Sequence, residues 1–169
     1  NGESFYNDKM DAVVKELEDK NLLKEDDGAM IVDLGESMPP ALIKRRDGAS
    51  LYITRDLAAV FYRKNEYKFK KALYVVGNEQ SLHFEQVFRA ADKAGIMPKN
   101  SLEHLAYGTV NGTDGKPYKT RNGDNPKLEN LFENARQIFI DKKESNKDMD
   151  IVDVNKIVNA ILKFADLMN

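Results

Sequence analysis

The sequence predicts an α/β chain in which a parallel sheet, built from βαβ units, is followed by helices. Three observations carry this. Ala72-Leu73-Tyr74-Val75-Val76 is a short continuous apolar run of the kind that buried parallel strands show, and Gly77-Asn78 breaks it. Phe84, Val87, Phe88 and Ala91 then share one helical face, with Ser81 as candidate N-cap and Gly95 where a C-terminal glycine belongs. A stretch from Leu102 to Tyr107 supplies the returning strand and completes the unit.

The flanking elements follow from the same periodicities. Met10, Val13, Val14 and Leu17 recur at helical spacing, with Asn7 or Asp8 as N-cap and Asn21 as a left-handed stop. Ala29 to Leu34 follows Asp27-Gly28, and Leu51-Tyr52-Ile53 follows Asp47-Gly48, so each reads as a strand entered through a turn, with Pro39-Pro40 between them. Leu57, Val60 and Phe61 continue from the second strand as a short helix. Residues 111–126 carry Asn111-Gly112, Asp114-Gly115, Pro117, Asn122-Gly123 and Asn125-Pro126, the composition of a long exposed loop. Beyond it, Leu128, Leu131, Phe132, Ala135, Ile138 and Phe139 define one helix, and Val154, Ile157, Val158, Ile161, Ala165 and Met168 another. The boundaries that result are 1–110 for the sheet region, 111–126 for the loop and 127–169 for the helical segment.

Composition narrows the chemistry. Of 169 residues 41% are hydrophobic, enough to bury one sizeable core, and 26 basic against 28 acidic side chains leave a net charge of −2. No chain-wide field therefore draws in a polyanion, and any such contact must be local. The absence of cysteine excludes disulfides, thiolate metal sites and a cysteine nucleophile, and fits a cytoplasmic setting. No apolar run approaches the roughly 18 residues that span a bilayer. No metal site is expected either, because His83 and His104 are the only histidines and neither has a further ligand at suitable spacing. The start at Asn1, without Met, and the stop just after an apolar helix suggest a piece of a longer protein.

Ligands of open parallel sheets collect at the strand exits, and three segments would lie there. Tyr52-Ile53-Thr54-Arg55-Asp56 places a phenol at a strand end and a carboxylate in the first helical turn, where the helix dipole alone would favour it. Gln80 falls in the turn after Val76 and His83 in the next helix; the histidine can donate to an oxygen or sit half-buried with its nitrogens satisfied. Gly115 to Asp124 sets Lys116, Lys119, Thr120 and Arg121 between glycines, suited either to phosphates or simply to solvent. Its spacing is not that of a P-loop.

Taken jointly, the segments resemble the arginyl-tRNA synthetases. Asp47 to Ala58 resembles the phrase that supplies the family's amino-acid pocket, Tyr74 to Phe84 its next strand and helix, Gly115 to Gly123 its altered class I KMSKS loop, and Ile161 to Leu167 the helix beyond. The likeness runs nearly end to end, and is thinnest before residue 25 and between about 140 and 155. It implies the second half of a Rossmann-type nucleotide-binding domain followed by helices.

The same likeness implies that Tyr52, Asp56 and Gln80 contact substrate arginine, and that His83 and Gln86 lie near the nucleotide. Lys116, Lys119, Thr120 and Arg121 would supply the KMSKS-like charge. A guanidinium is planar and permanently charged, so a carboxylate in its plane accepts two donors where an ammonium offers no such fork. The implied chemistry is activation of arginine by ATP, which brings Mg²⁺, and transfer to the acceptor end of tRNA(Arg). The likeness places a His-Ile-Gly-His sequence upstream of Asn1 and an anticodon-binding domain downstream, so this stretch alone is expected not to form adenylate. A non-catalytic RNA-binding or scaffolding relative is the alternative, and a class I synthetase for another amino acid would not need a carboxylate at Asp56.

Overall fold

The computed structural model describes residues 1–109, 111, 115, 127–142 and 151–168. They belong to two compact units, Asn1–Ala106 and Tyr107–Asn169.

The first unit opens with a 3-10 segment, Glu3–Lys9, that runs directly into helix α1 (Met10–Asp19). Neither Asn7 nor Asp8 caps α1: both lie inside the 3-10 segment, whose backbone already turns as a helix, and no side chain bonds the helix start. The apolar spacing is as expected, with Val13, Val14 and Leu17 buried. Asn21 takes the left-handed conformation (φ 54°), and Leu22 N–H returns to Leu17 O at 3.0 Å, which stops the helix.

Strands β1 (Leu23–Asp26), β2 (Ala29–Val32) and β3 (Ala41–Lys44) then form an antiparallel sheet in that order. Asp26 pairs with Ala29 across Asp27 (φ 48°) and Gly28 (φ 77°), a two-residue hairpin loop in which both residues need the left-handed region. The turn and β2 are legible in the sequence. β1 is not, because Lys24, Glu25 and Asp26 leave it no apolar face. β3 begins directly after Pro39-Pro40 and alternates buried Ala41 and Ile43 with exposed Leu42.

The expected strand at Leu51-Tyr52-Ile53 does not form. Gly48 (φ 79°) turns the chain, Ser50 bridges back to Lys44, Leu51 is extended, and Tyr52 is the first residue of helix α2 (Tyr52–Tyr67). Tyr, Ile and Thr favour strands when judged locally. Here burial of Ile53, Thr54, Leu57 and Ala58 at helical spacing overrides that preference. The Thr54 hydroxyl donates to Ile43 O at 2.6 Å and ties α2 to β3. Leu57, Val60 and Phe61 thus belong to a 16-residue helix rather than a short one, ended by left-handed Lys68 (φ 48°).

Strand β4 (Ala72–Gly77), a 3-10 turn (Asn78–Gln80), helix α3 (Ser81–Lys93) and strand β5 (Leu102–Tyr107) make the predicted βαβ unit, with β4 and β5 paired in parallel. Ser81 is the first helical residue rather than the cap, and its hydroxyl donates to Asn78 O at 2.6 Å. Phe84, Val87, Phe88 and Ala91 are buried as the spacing predicts. Gly95 (φ 62°) lets Ile96 N–H reach Ala91 O at 2.9 Å. The Tyr74 ring packs 5.2 Å from both Phe84 and Phe88, so α3 covers one face of the strand pair. Leu73 and Val75, pointing the other way, are exposed. The α/β class holds, with an antiparallel sheet added to the parallel pair.

In the second unit, helices α4 (Leu128–Asp141) and α5 (Ile151–Met168) pack on one another, as their periodicities predict. Val154 and Val158 are buried between them, whereas Ile161 and Met168 remain exposed.

Candidate functional site

Helix α2 supplies the frame. Because Tyr52 starts a helix, Tyr52, Asp56, Ala59 and Arg63 fall at i, i+4, i+7 and i+11 on one stripe. Together with Glu3 and Tyr6 they line a cleft of about 300 Å³. Ala59 is buried and its small side chain leaves the floor open. Tyr52 is 70% exposed at the head of the stripe, with the Arg55 guanidinium 5.7 Å from its ring centre. Arg55 is itself paired with Glu3.

Asp56 is not in the first turn of α2, which carries no acid, so the dipole argument for an aspartate there does not apply. Its carboxylate is 37% exposed and faces α3, where His83 Nε2 lies 2.6 Å from its Oδ2. The imidazole is 22% exposed, and its ring meets Phe84 edge-on at 5.3 Å. Phe84 is buried in the aromatic cluster with Tyr74 and Phe88, so the core fixes the histidine and the histidine holds the acid. Burial pushes the Tyr74 phenol up, partly offset by the Arg63 guanidinium, with the Asp56 charge adding to the rise.

Gln80 closes the 3-10 turn one helical turn before His83; it is exposed, and its amide makes no hydrogen bond among the described residues. Gln86 points elsewhere: its amide nitrogen donates to Pro39 O and Pro40 O, each at 3.1 Å, and so anchors the entry to β3. Lys116, Lys119, Thr120 and Arg121 lie outside the described residues. The structure therefore brings Tyr52 and Asp56 into one cleft and sets His83 against the same carboxylate. Among the described residues no three acids or histidines gather as metal ligands, and no helix is long and apolar enough to cross a membrane.

Sequence reasoning missed Glu3, Tyr6, Arg55 and Arg63. Arg63 was within reach, since it stands eleven residues after Tyr52 and a helix begun there would have put both on one face. Reading Leu51 to Ile53 as a strand hid that spacing. Glu3 and Tyr6 carry no local signal, because they reach the cleft only through packing of the 3-10 segment on α2.

Residues 1–169 match the family model described as tRNA synthetases class I (R), catalytic domain. The arginine–tRNA ligase of Leuconostoc mesenteroides is 46% identical over 176 aligned positions, which cover 100% of this chain and 31% of that protein. That of Exiguobacterium sibiricum is 52% identical over 136 positions, 80% of this chain and 24% of its own length. Among solved structures, arginyl-tRNA synthetase from Plasmodium falciparum aligns with a TM-score of 0.63 at 25% identity, over 94% of this chain and 26% of that one. The Thermus thermophilus arginyl-tRNA synthetase aligns with a TM-score of 0.56 at 19% identity, over 88% of this chain and 31% of that one, a likeness of fold alone. The chain thus spans under a third of the length of these relatives. With a family match from its first residue to its last, this chain belongs to the catalytic-domain family of the class I tRNA synthetases (R).

Proposed function

We propose that this chain carries the arginine-recognition part of an arginine–tRNA ligase. The observation that carries the reading is the Asp56 carboxylate, held against α3 at the edge of a cleft that Tyr52 heads. One carboxylate oxygen is engaged by His83, and the other stays available to the in-plane donors of a guanidinium. The Tyr52 ring would flank the ligand, and the unbonded amide of Gln80 would add an acceptor. Family membership and the names of the relatives support the same reading.

The reaction would run in two steps. The arginine carboxylate attacks the α-phosphate of ATP, releasing pyrophosphate, and the terminal ribose of tRNA(Arg) then takes the arginyl group from AMP. Neither step needs a protein nucleophile; alignment and charge stabilisation suffice, with Mg²⁺ arriving on ATP. We read residues 1–110 as the second half of the Rossmann-type domain; His83, bonded to Asp56, and Gln86, bonded to the Pro39-Pro40 backbone, would reach the nucleotide only by releasing those partners. Residues 111–126 would be the KMSKS-like loop, with Lys116, Lys119, Thr120 and Arg121 serving the pyrophosphate. Residues 127–169 would be a helical junction towards the tRNA stem. The setting would be cytoplasmic, and the partners arginine, ATP, the tRNA acceptor end and the remaining domains of the same ligase.

The test is calorimetric titration of arginine and lysine into the complete protein, wild type and Asp56→Asn. Losing one member of a buried charge pair costs about 2–5 kcal/mol. For a carboxylate that keeps some solvent contact the lower end applies, so arginine affinity should fall about 30-fold in Asp56→Asn while lysine stays weak in both. Equal binding of arginine and lysine, unaffected by the substitution, would favour a scaffolding relative or a synthetase for another amino acid.

A further inference from the structure

The pairing of Asp56 with His83 joins residues 27 apart in sequence, at 2.6 Å, across two helices. The imidazole cannot retreat freely. One side of it rests on Phe84, which is 7% exposed and locked among Tyr74 and Phe88. A guanidinium that takes both oxygens of Asp56 therefore meets a donor already in place on one of them, Oδ2. If that donor is an imidazolium, two cations converge on one acid; if it is neutral, its Nε2–H still orients the carboxylate and repels nothing. Histidine is the side chain that ordinarily passes between these states from pH 5 to 8.

We propose that His83 is the positioning residue for Asp56, and that arginine capture is coupled to loss of a proton from its imidazole. This rests on the reading that Asp56 takes the guanidinium. Neither group is sealed from water, with 22% and 37% of the two side chains exposed, so the proton has a path to solvent. Other ionisable groups surround the pair. Tyr52, Arg55 and Arg63 on α2 and Glu3 and Tyr6 of the N-terminal segment share the cleft with Asp56. Burial raises the Tyr74 phenol on β4 above its ordinary value and so keeps it uncharged. Of the remaining charged groups on elements packed against α3, Lys99 pairs with Glu85, while Lys44 lies on β3, Lys64 and Glu66 on α2, and Glu79 in the 3-10 turn. The second histidine of the chain, His104, directs Nε2 to Val76 O at 2.9 Å and takes no part.

The experiment is arginine titration into the complete protein from pH 6 to pH 8, together with proton counting at pH 6.5 in buffers of different ionisation enthalpy. Wild type should release a fraction of a proton per arginine bound and lose affinity roughly three- to tenfold between pH 8 and pH 6. His83→Gln should bind arginine with a flat profile and no proton release, and His104→Gln should keep the wild-type slope. Asp56-dependent binding whose slope survives in His83→Gln overturns the proposal and leaves the arginine reading standing. Absence of selective arginine binding at pH 8 overturns both. Should His83→Gln fail to fold, His83→Asn takes its place, and a wild-type proton count of zero overturns the proposal without any variant.

Discussion

Thr54 shows how much one side chain can decide. It is fully buried, and its hydroxyl donates to Ile43 O at 2.6 Å, joining the helix that bears Asp56 to the central sheet. Replacing it by Val keeps the shape but leaves a buried carbonyl unpaired, at a cost of about 1–3 kcal/mol. Urea unfolding of Thr54→Val should register a loss of that size. Glu85 works through charge instead. The hydrogen bond from Lys99 holds its carboxyl below the ordinary value of 4.5, against an opposing effect of burial and with help from Arg89. A carboxyl depressed in the folded state adds stability above its unfolded value, and that contribution is lost as pH falls through the folded value. Glu85→Gln should therefore be less stable than wild type by under about 1 kcal/mol at pH 7, and the gap should close as denaturation is followed below pH 4.5. Both residues carry ordinary signals, yet sequence alone pairs neither: their partners are 11 and 14 residues away.

At the scale of elements, α2 does most to build the site, since a single helix face delivers Tyr52, Asp56, Ala59 and Arg63 to one cleft. What holds that face in register is the adjoining one, where Leu57 and Val60 are completely buried. Leu57→Ala would remove a core side chain and leave a cavity, at about 2–5 kcal/mol. We expect thermal unfolding to show that loss, and arginine affinity to weaken even though Leu57 does not line the cleft. The periodicities that define α1, α3, α4 and α5, and the strands β2, β4 and β5, were legible because each has a regular apolar pattern, fully buried in α1 and α3 and at most half-buried in α4. β1 and β3 were not. The charged β1 is held by its hydrogen-bond ladder to β2 rather than by an apolar face, and β3 is four residues long behind two prolines.

Taken whole, the molecule is two units, each with its own packing, in a chain that spans 31% of the length of its Leuconostoc relative. The β4–β5 pair is a small sheet, covered by α3 on one face while Leu73 and Val75 stand exposed on the other. Two strands seldom suffice by themselves. Its sequence also contains no His-Ile-Gly-His stretch. We accordingly expect no ATP–pyrophosphate exchange from the 169 residues alone, and exchange from the complete protein; activity in the isolated chain would count against the division of labour proposed above.

The sequence by itself determined the α/β class, the βαβ unit and the helical pair, because periodicity and glycine turns are local properties; Tyr52 and Asp56 were singled out together only through the family resemblance. Only the tertiary structure decided that Tyr52 opens a helix, that Asp56 rests against His83, and that Gln86 serves the Pro39-Pro40 backbone. Each of those depends on which surfaces are buried against which, and burial is a property of the packed chain, able to override a local strand preference and to bring together acids and bases that lie far apart along it.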